Sequence, residues 1–182
     1  TYDFAEIAAT LNAIHPYDWA QFLRSRFQEA GQPAPLAGIE RAGYRLVWKD
    51  EPNSYDKGRM AESKRLELMH SLGLTLNREG EVVATQWEGP AFRAGLVNGA
   101  RVIAVNGVAY DADRLKAAIT QAKGGTDPVQ LLVKRGDRFD TVAVSWNGGL
   151  RWPWLERATG TTTPAGLDRL LAPRRPVATS RR

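Results

Sequence analysis

The dipeptide Asn106-Gly107, set directly behind the β-rich run Arg101-Val102-Ile103-Ala104-Val105, constrains this chain more than any other feature. It is the strongest short signal for a tight hairpin, because Asn and Gly tolerate the positive φ angles such a turn demands. Around it the chain repeats one device, a short strand-forming run followed by a turn. Leu66, Leu68 and His70 alternate up to Ser71, ahead of a second run at 74–77. The turn Asn77-Arg78-Glu79-Gly80 leads into Glu81–Trp87, and Arg135-Gly136-Asp137-Arg138 joins Val129–Lys134 to Phe139–Ser145. Gly89-Pro90-Ala91-Phe92-Arg93-Ala94-Gly95-Leu96 has room for one short helical turn, opened by proline and closed by glycine. Asp111 or Asp113 caps a longer helix with Leu115, Ala118, Ile119 and Ala122 on one face, and Gly124-Gly125 ends it. This order predicts an α+β unit: a small β-sandwich or partly open barrel with two helices.

The flanks differ. Tyr2, Phe4, Ile7, Ala8, Leu11 and Ile14 recur at three- and four-residue steps and predict an amphipathic helix, stopped at His15-Pro16. Asp18 can cap a second helix, with Gln21 three residues on and Trp19, Phe22, Leu23 and Phe27 on its buried face. Gly31 closes it before Gln32-Pro33-Ala34-Pro35. The small unit is thus preceded by a helical hairpin whose aromatic faces need a partner. Tyr44–Lys49 alternates like a strand, 50–54 reads as a turn or linker, and 55–64 is polar and ambiguous. Trp146, Trp152 and Trp154 crowd near the end, where docking of the tail onto the domain or a neighbour is their expected role. Leu167, Leu170 and Leu171 predict a short helix before Pro173. The expected organisation is 1–54 helical segment plus strand, 55–147 small β unit, 148–172 docking tail, and 173–182 basic disordered end.

Composition then removes function classes. The chain has 182 residues and no cysteine, which excludes a disulfide scaffold and a thiol nucleophile. His15 and His70 are its two histidines, far apart, so no H-E-x-x-H zinc helix exists here and no metal ligand is assigned. The net charge of +5 invites a nucleic-acid reading, but Arg174, Arg175, Arg181 and Arg182 fall in the final eleven residues, which hold no acid, and the rest carries +1. No nucleic-acid partner is expected. No apolar run approaches a membrane span. Because Thr1 starts inside a helical pattern, the chain is expected to be an excerpt of a longer protein.

The middle stretch resembles a PDZ domain of the bacterial protease-associated kind. The matching pieces are Ser71-Leu72-Gly73-Leu74, Gly89–Leu96, and Val102-Ile103-Ala104-Val105-Asn106-Gly107, in order and at domain spacing. The resemblance implies that Ser71, Leu72, Gly73 and Leu74 form a carboxylate-binding loop whose N–H groups converge on a chain terminus. A strand from Leu74 to Asn77 would offer a free edge for peptide addition, walled by the helix from Ala112 to Ala122. Leu76, Ala112, Leu115, Lys116 and Ile119 would line the groove, with Leu72, Leu74 and Ile119 receiving the terminal side chain. Ala112 stands where many eukaryotic PDZ domains carry a hydroxyl-reading histidine, which implies a hydrophobic preference.

Adding the flanks makes the resemblance more specific. Leu11-Asn12-Ala13, Tyr17–Leu23, Leu36–Tyr44, Gly148-Gly149-Leu150-Arg151 and Leu167–Arg174, together with the PDZ pieces, resemble the C-terminal part of the glycyl aminopeptidase family of zinc metallopeptidases. The resemblance implies a bacterial parent, periplasmic or cytoplasmic, that removes N-terminal residues, notably glycine, with zinc-activated water. It implies that the zinc and all catalytic residues lie outside these residues, so that the excerpt alone is inactive and partners a catalytic domain and a peptide or protein terminus. Two other readings are a non-enzymatic PDZ adaptor and the PDZ portion of an HtrA-like serine protease. The flanks argue against the protease.

Overall fold

The computed structural model describes residues 2–27, 34–160 and 164–174. Helix α1 (Phe4–Ile14) begins at a capping box: the Glu6 N–H donates to the Asp3 carboxylate at 2.8 Å and Asp3 N–H returns a bond to Glu6 at 3.1 Å. His15 ends it in extended backbone, as the following proline requires. Helix α2 (Trp19–Phe27) follows, its Gln21 N–H donating to the Asp18 carboxylate at 3.0 Å. The expected stop at Gly31 lies outside the described residues. Neither helix buries a residue completely. The Arg24 guanidinium of α2 lies 5.3 Å from the Phe4 ring centre of α1, and the Tyr17 N–H in the connecting loop donates to Asn12 at 3.0 Å; Tyr17 packs edge-on with Trp19 and Phe22 at the start of α2, and Ile14 faces solvent.

A short helix α3 (Ala37–Arg41) precedes β1 (Tyr44–Lys49). The ambiguous stretch is helix α4 (Ser54–Ser63), capped by Asn53, whose side chain accepts from the Asp56 N–H at 2.9 Å. Next come β2 (Leu66–Leu68), β3 (Leu74–Leu76), β4 (Val82–Thr85) and the short α5 (Pro90–Arg93). The strand β5 (Arg101–Val105) turns through Asn106 and Gly107, at φ +47° and +81°, into β6 (Val108–Ala109). Both central residues have positive φ, as a tight hairpin of this kind requires. Helix α6 (Ala112–Gln121) follows, capped by Asp111, which accepts from the Arg114 N–H at 2.7 Å. Strands β7 (Val129–Arg135), β8 (Arg138–Val144) and β9 (Trp152–Arg157), then α7 (Gly166–Leu171), complete the chain.

Three antiparallel sheets result, in the orders β1-β9, β2-β3-β4 and β6-β5-β7-β8, and they do not close into a barrel. An isolated bridge between Glu81 and Arg101 joins the second sheet to the third. Leu72, Leu74, Leu76, Leu115, Ile119 and Leu131 form the centre of one core beneath these two sheets and α6. This is an α+β, PDZ-like fold with α5 and α6 as its two helices. The β1-β9 pair, in register from Tyr44 with Arg157 to Lys49 with Trp152, ties the segments on either side of that unit together. Helix α7 returns to the same place: Leu167 N–H donates to the Ala42 carbonyl, and Asp168 accepts from the Tyr44 hydroxyl at 2.6 Å and meets Arg157 at 2.6 Å. The Tyr44 hydroxyl, the largest cause, holds the Asp168 carboxyl below its ordinary range against desolvation, with the Ala165 N–H at 2.8 Å and Arg157 adding to it.

Candidate functional site

The loop Ser71-Leu72-Gly73-Leu74 closes the β2-β3 hairpin. Gly73 adopts φ +76°, and a Cβ there would lie 3.4 Å from Gln86, Gly89 and Pro90. The loop needs glycine for its left-handed turn, while the neighbouring segment that opens α5 leaves ordinary contact distance for a Cβ. That segment is bonded to it on both sides: Gln86 N–H donates to the Gly73 carbonyl and Ala91 N–H to the Leu72 carbonyl, each at 2.8 Å. Within the loop, the N–H groups of Ser71 and Gly73 converge on one acceptor, the Leu68 carbonyl, each at 3.0 Å. A turn that aims two donors at one oxygen has the geometry of a small anion nest. Here the chain's own β2 supplies the oxygen.

The same strand corrects the expectation of a free edge at 74–77. Strand β3 is central in its sheet, paired with β4 on one side and with β2 on the other. Leu66 stands opposite Leu76, Glu67 opposite Thr75, and Leu68 opposite Leu74. A chain that turns after only five loop residues returns along the strand it has just left, and antiparallel pairing satisfies both backbones at little entropic cost. Thr75 adds a hydroxyl bond to Glu67 at 3.2 Å.

The expected site residues therefore divide by burial. Ser71, Leu72, Gly73, Leu74 and Leu76 are buried, as are Leu115 and Ile119 on the facing side of α6. Ala112 is exposed and Lys116 half-exposed at the first turns of α6, with Lys116 bonded to Asp113 at 2.6 Å. The tail seals the loop from outside. Arg151 N–H donates to the Ser71 hydroxyl at 3.0 Å, and the Arg151 guanidinium lies 4.3 Å from the Trp48 ring centre. The His70 ring packs against the Trp48 ring, 5.0 Å between centres. Desolvation there, with the Arg151 and Arg59 charges adding to it against an opposing pull from Asp56, lowers the His70 pKa.

The tryptophans near the end dock inward. Trp152 is buried in the core, Trp146 bonds the Gly149 carbonyl at 2.7 Å, and Trp154 bonds the Glu51 carbonyl at 2.7 Å. Sequence reasoning missed that Trp152–Arg157 is itself a strand, and that Met60, Lys64 and Arg65 from α4 and its cap stand beside the groove wall. The Asn53–Asp56 capping pair was the readable signal for that helix.

No protein-family model matches the chain, and no curated protein matches it. Solved structures do. One is an aminopeptidase N family protein from Idiomarina loihiensis, 15% identical, with a TM-score of 0.57 over 86% of this chain. This chain covers only 27% of that protein's length. A second is the HtrA3 PDZ domain bound to a phage-derived ligand, FGRWV, 16% identical over 65% of this chain and 95% of that one, with a TM-score of 0.32. The first shows a shared fold, found in an aminopeptidase-related protein and extending through the flanks as well as the PDZ-like unit.

Proposed function

We propose that this chain is the PDZ-like regulatory module of a longer zinc-dependent aminopeptidase, of the type that releases N-terminal glycine, and that it engages a chain terminus or partner protein when β2 yields the edge of β3. The observation that carries this reading is the convergence of the Ser71 and Gly73 N–H groups on a single oxygen. A terminal carboxylate offers the same acceptor with a full negative charge, and so competes with the Leu68 carbonyl for the nest. Once β2 is displaced, Leu72 and Leu74 flank the terminal side chain, and Leu76, Ala112, Leu115, Lys116 and Ile119 line the channel beyond. The fold shared with an aminopeptidase N family protein supports the parent's class.

Zinc belongs to that parent. Among the described residues no three side chains of the ligating types gather around one point. Its part in the reaction is to hold and orient a chain, with hydrolysis carried out elsewhere in the parent.

The reading is tested by calorimetry with a peptide ending in a free valine and with its C-terminal amide. The free acid binds the native chain weakly. It binds Glu67→Pro more tightly, because proline fixes φ in the short strand β2 and removes the Thr75–Glu67 side-chain bond, which loosens β2 on β3. Amidation abolishes binding to both. Equal affinity for acid and amide overturns the nest, and zinc-dependent glycine release by this chain alone overturns the non-catalytic role.

A further inference from the structure

With β2 seated against β3, a second cavity remains open. It lies between α4, the start of β2, the turn after β3 and the first turns of α6, with a volume of about 370 Å³. Its apolar wall includes Met60, Leu66, Tyr110 and Trp152. Its charged lining is wholly cationic: Lys64, Arg65, Arg78 and Lys116, without a carboxylate. Lys116 already holds Asp113 at 2.6 Å. Lys64, Arg65 and Arg78 are exposed and make no ion pair among the described residues. Trp152, 4% exposed, borders this cavity and the smaller one beside Asp56, and its indole N–H has no acceptor among the described residues.

We propose that this cavity is a docking site for an acidic peptide segment that inserts one large apolar side chain. Three cations around an apolar hollow complement a hydrophobic residue flanked by Asp or Glu. A hollow of this size accepts one side chain, which is how a peptide anchor gains most of its affinity. Strand β2 is also the edge of its sheet, so an extended segment beside Arg65–Leu68 finds unpaired backbone groups. The site lies at the other end of β2 from the Ser71–Leu74 loop and shares Ala112 and Lys116 of α6 with the channel described above. It needs neither a free carboxyl terminus nor the departure of β2, and it stands or falls independently of the aminopeptidase reading.

The test is fluorescence polarisation on the full chain with a labelled peptide, acetyl-Asp-Glu-Phe-Glu-Asp-amide, blocked at both ends. Binding is expected at low salt. The triple variant Lys64→Glu, Arg65→Glu, Arg78→Glu should weaken it at least about tenfold, since like charges now face each other. These side chains are exposed, so the thermal midpoint of the variant reports that it still folds. Replacing the peptide's Phe with Ser should abolish binding, and Glu67→Pro should not strengthen it. Any of three results overturns the proposal: no binding to the native chain, undiminished binding to the folded triple variant, or tighter binding of a single-stranded oligonucleotide at the same residues.

Discussion

The PDZ-like unit and the helical hairpin ahead of it use their apolar residues in opposite ways. In the unit, Leu72, Leu74, Leu76, Leu115 and Ile119 have no exposed surface. In the hairpin, Ile14 is 78% exposed and Phe4 39%, and neither helix buries a residue completely. The unit closes on itself, even to the point of filling its own strand edge with β2. The hairpin presents an apolar face and relies on capping and on its three-ring aromatic contact. A domain that buries its core holds its own stability, whereas an amphipathic hairpin draws most of its stability from what covers it.

The sharpest way to break this comparison is core truncation on each side. Leu115→Ala should cost about 2–5 kcal/mol in urea unfolding, whereas Ile14→Ala should stay within about 0.5 kcal/mol. Equal losses would mean that the hairpin shares the unit's cooperative core. Glycine substitution should have opposite signs inside the unit and in α3, between it and the hairpin. Gly73→Ala forces an L side chain to φ +76°, and should lower stability by about 1–2 kcal/mol. Gly38→Ala in α3 meets nothing within 4 Å, and should raise the stability of its helix by about 0.5–1 kcal/mol. Removing a cap comes next. Asp3→Ala should cost α1 about 1 kcal/mol, read as lost helical circular dichroism with the unit's melting midpoint unchanged.

The smallest effect concerns pH. The folded pKa of His70 lies below its ordinary value, so the unfolded chain binds more protons in the interval between the two. Its contribution to stability is present above the unfolded pKa of about 6.5 and is lost as pH falls through that value toward the folded one. A melting-temperature profile from pH 8 to 5 should flatten slightly in His70→Gln; an unchanged slope would remove this residue as its source.

Much of the unit was legible because its signals are local. Asn106-Gly107, the Asp111 cap and the turn at Arg135–Arg138 each fix a neighbour within a few residues, and the strands they predict are where they were expected. The amphipathic stripes of α1 and α2 were readable for the same reason. What was missed depends on distant partners. Helix α4 has no continuous apolar stripe, and is secured partly by the Asn53 amide donating to the Pro153 carbonyl at 2.9 Å. Strand β9 carries proline at 153, which speaks against a strand unless it lies at an edge, and its partner β1 is distant in sequence. In the candidate site, the turn geometry of Gly73 was readable. The occupant of the β3 edge was not, because Leu66–Leu68 has the same alternating pattern whether it lies in the groove or beside it.

The β1-β9 pairing also bears on the order in which the chain folds. Tyr44 must wait for Arg157, roughly a hundred residues later, and a flexible loop of that length closes slowly. Folding of the intervening unit shortens that search by bringing Asp50 and Arg151 toward one side of a compact body. On a ribosome the unit can form once Trp152 has joined its core, and the pairing of β1 with the rest of β9 and the docking of α7 then close as late events.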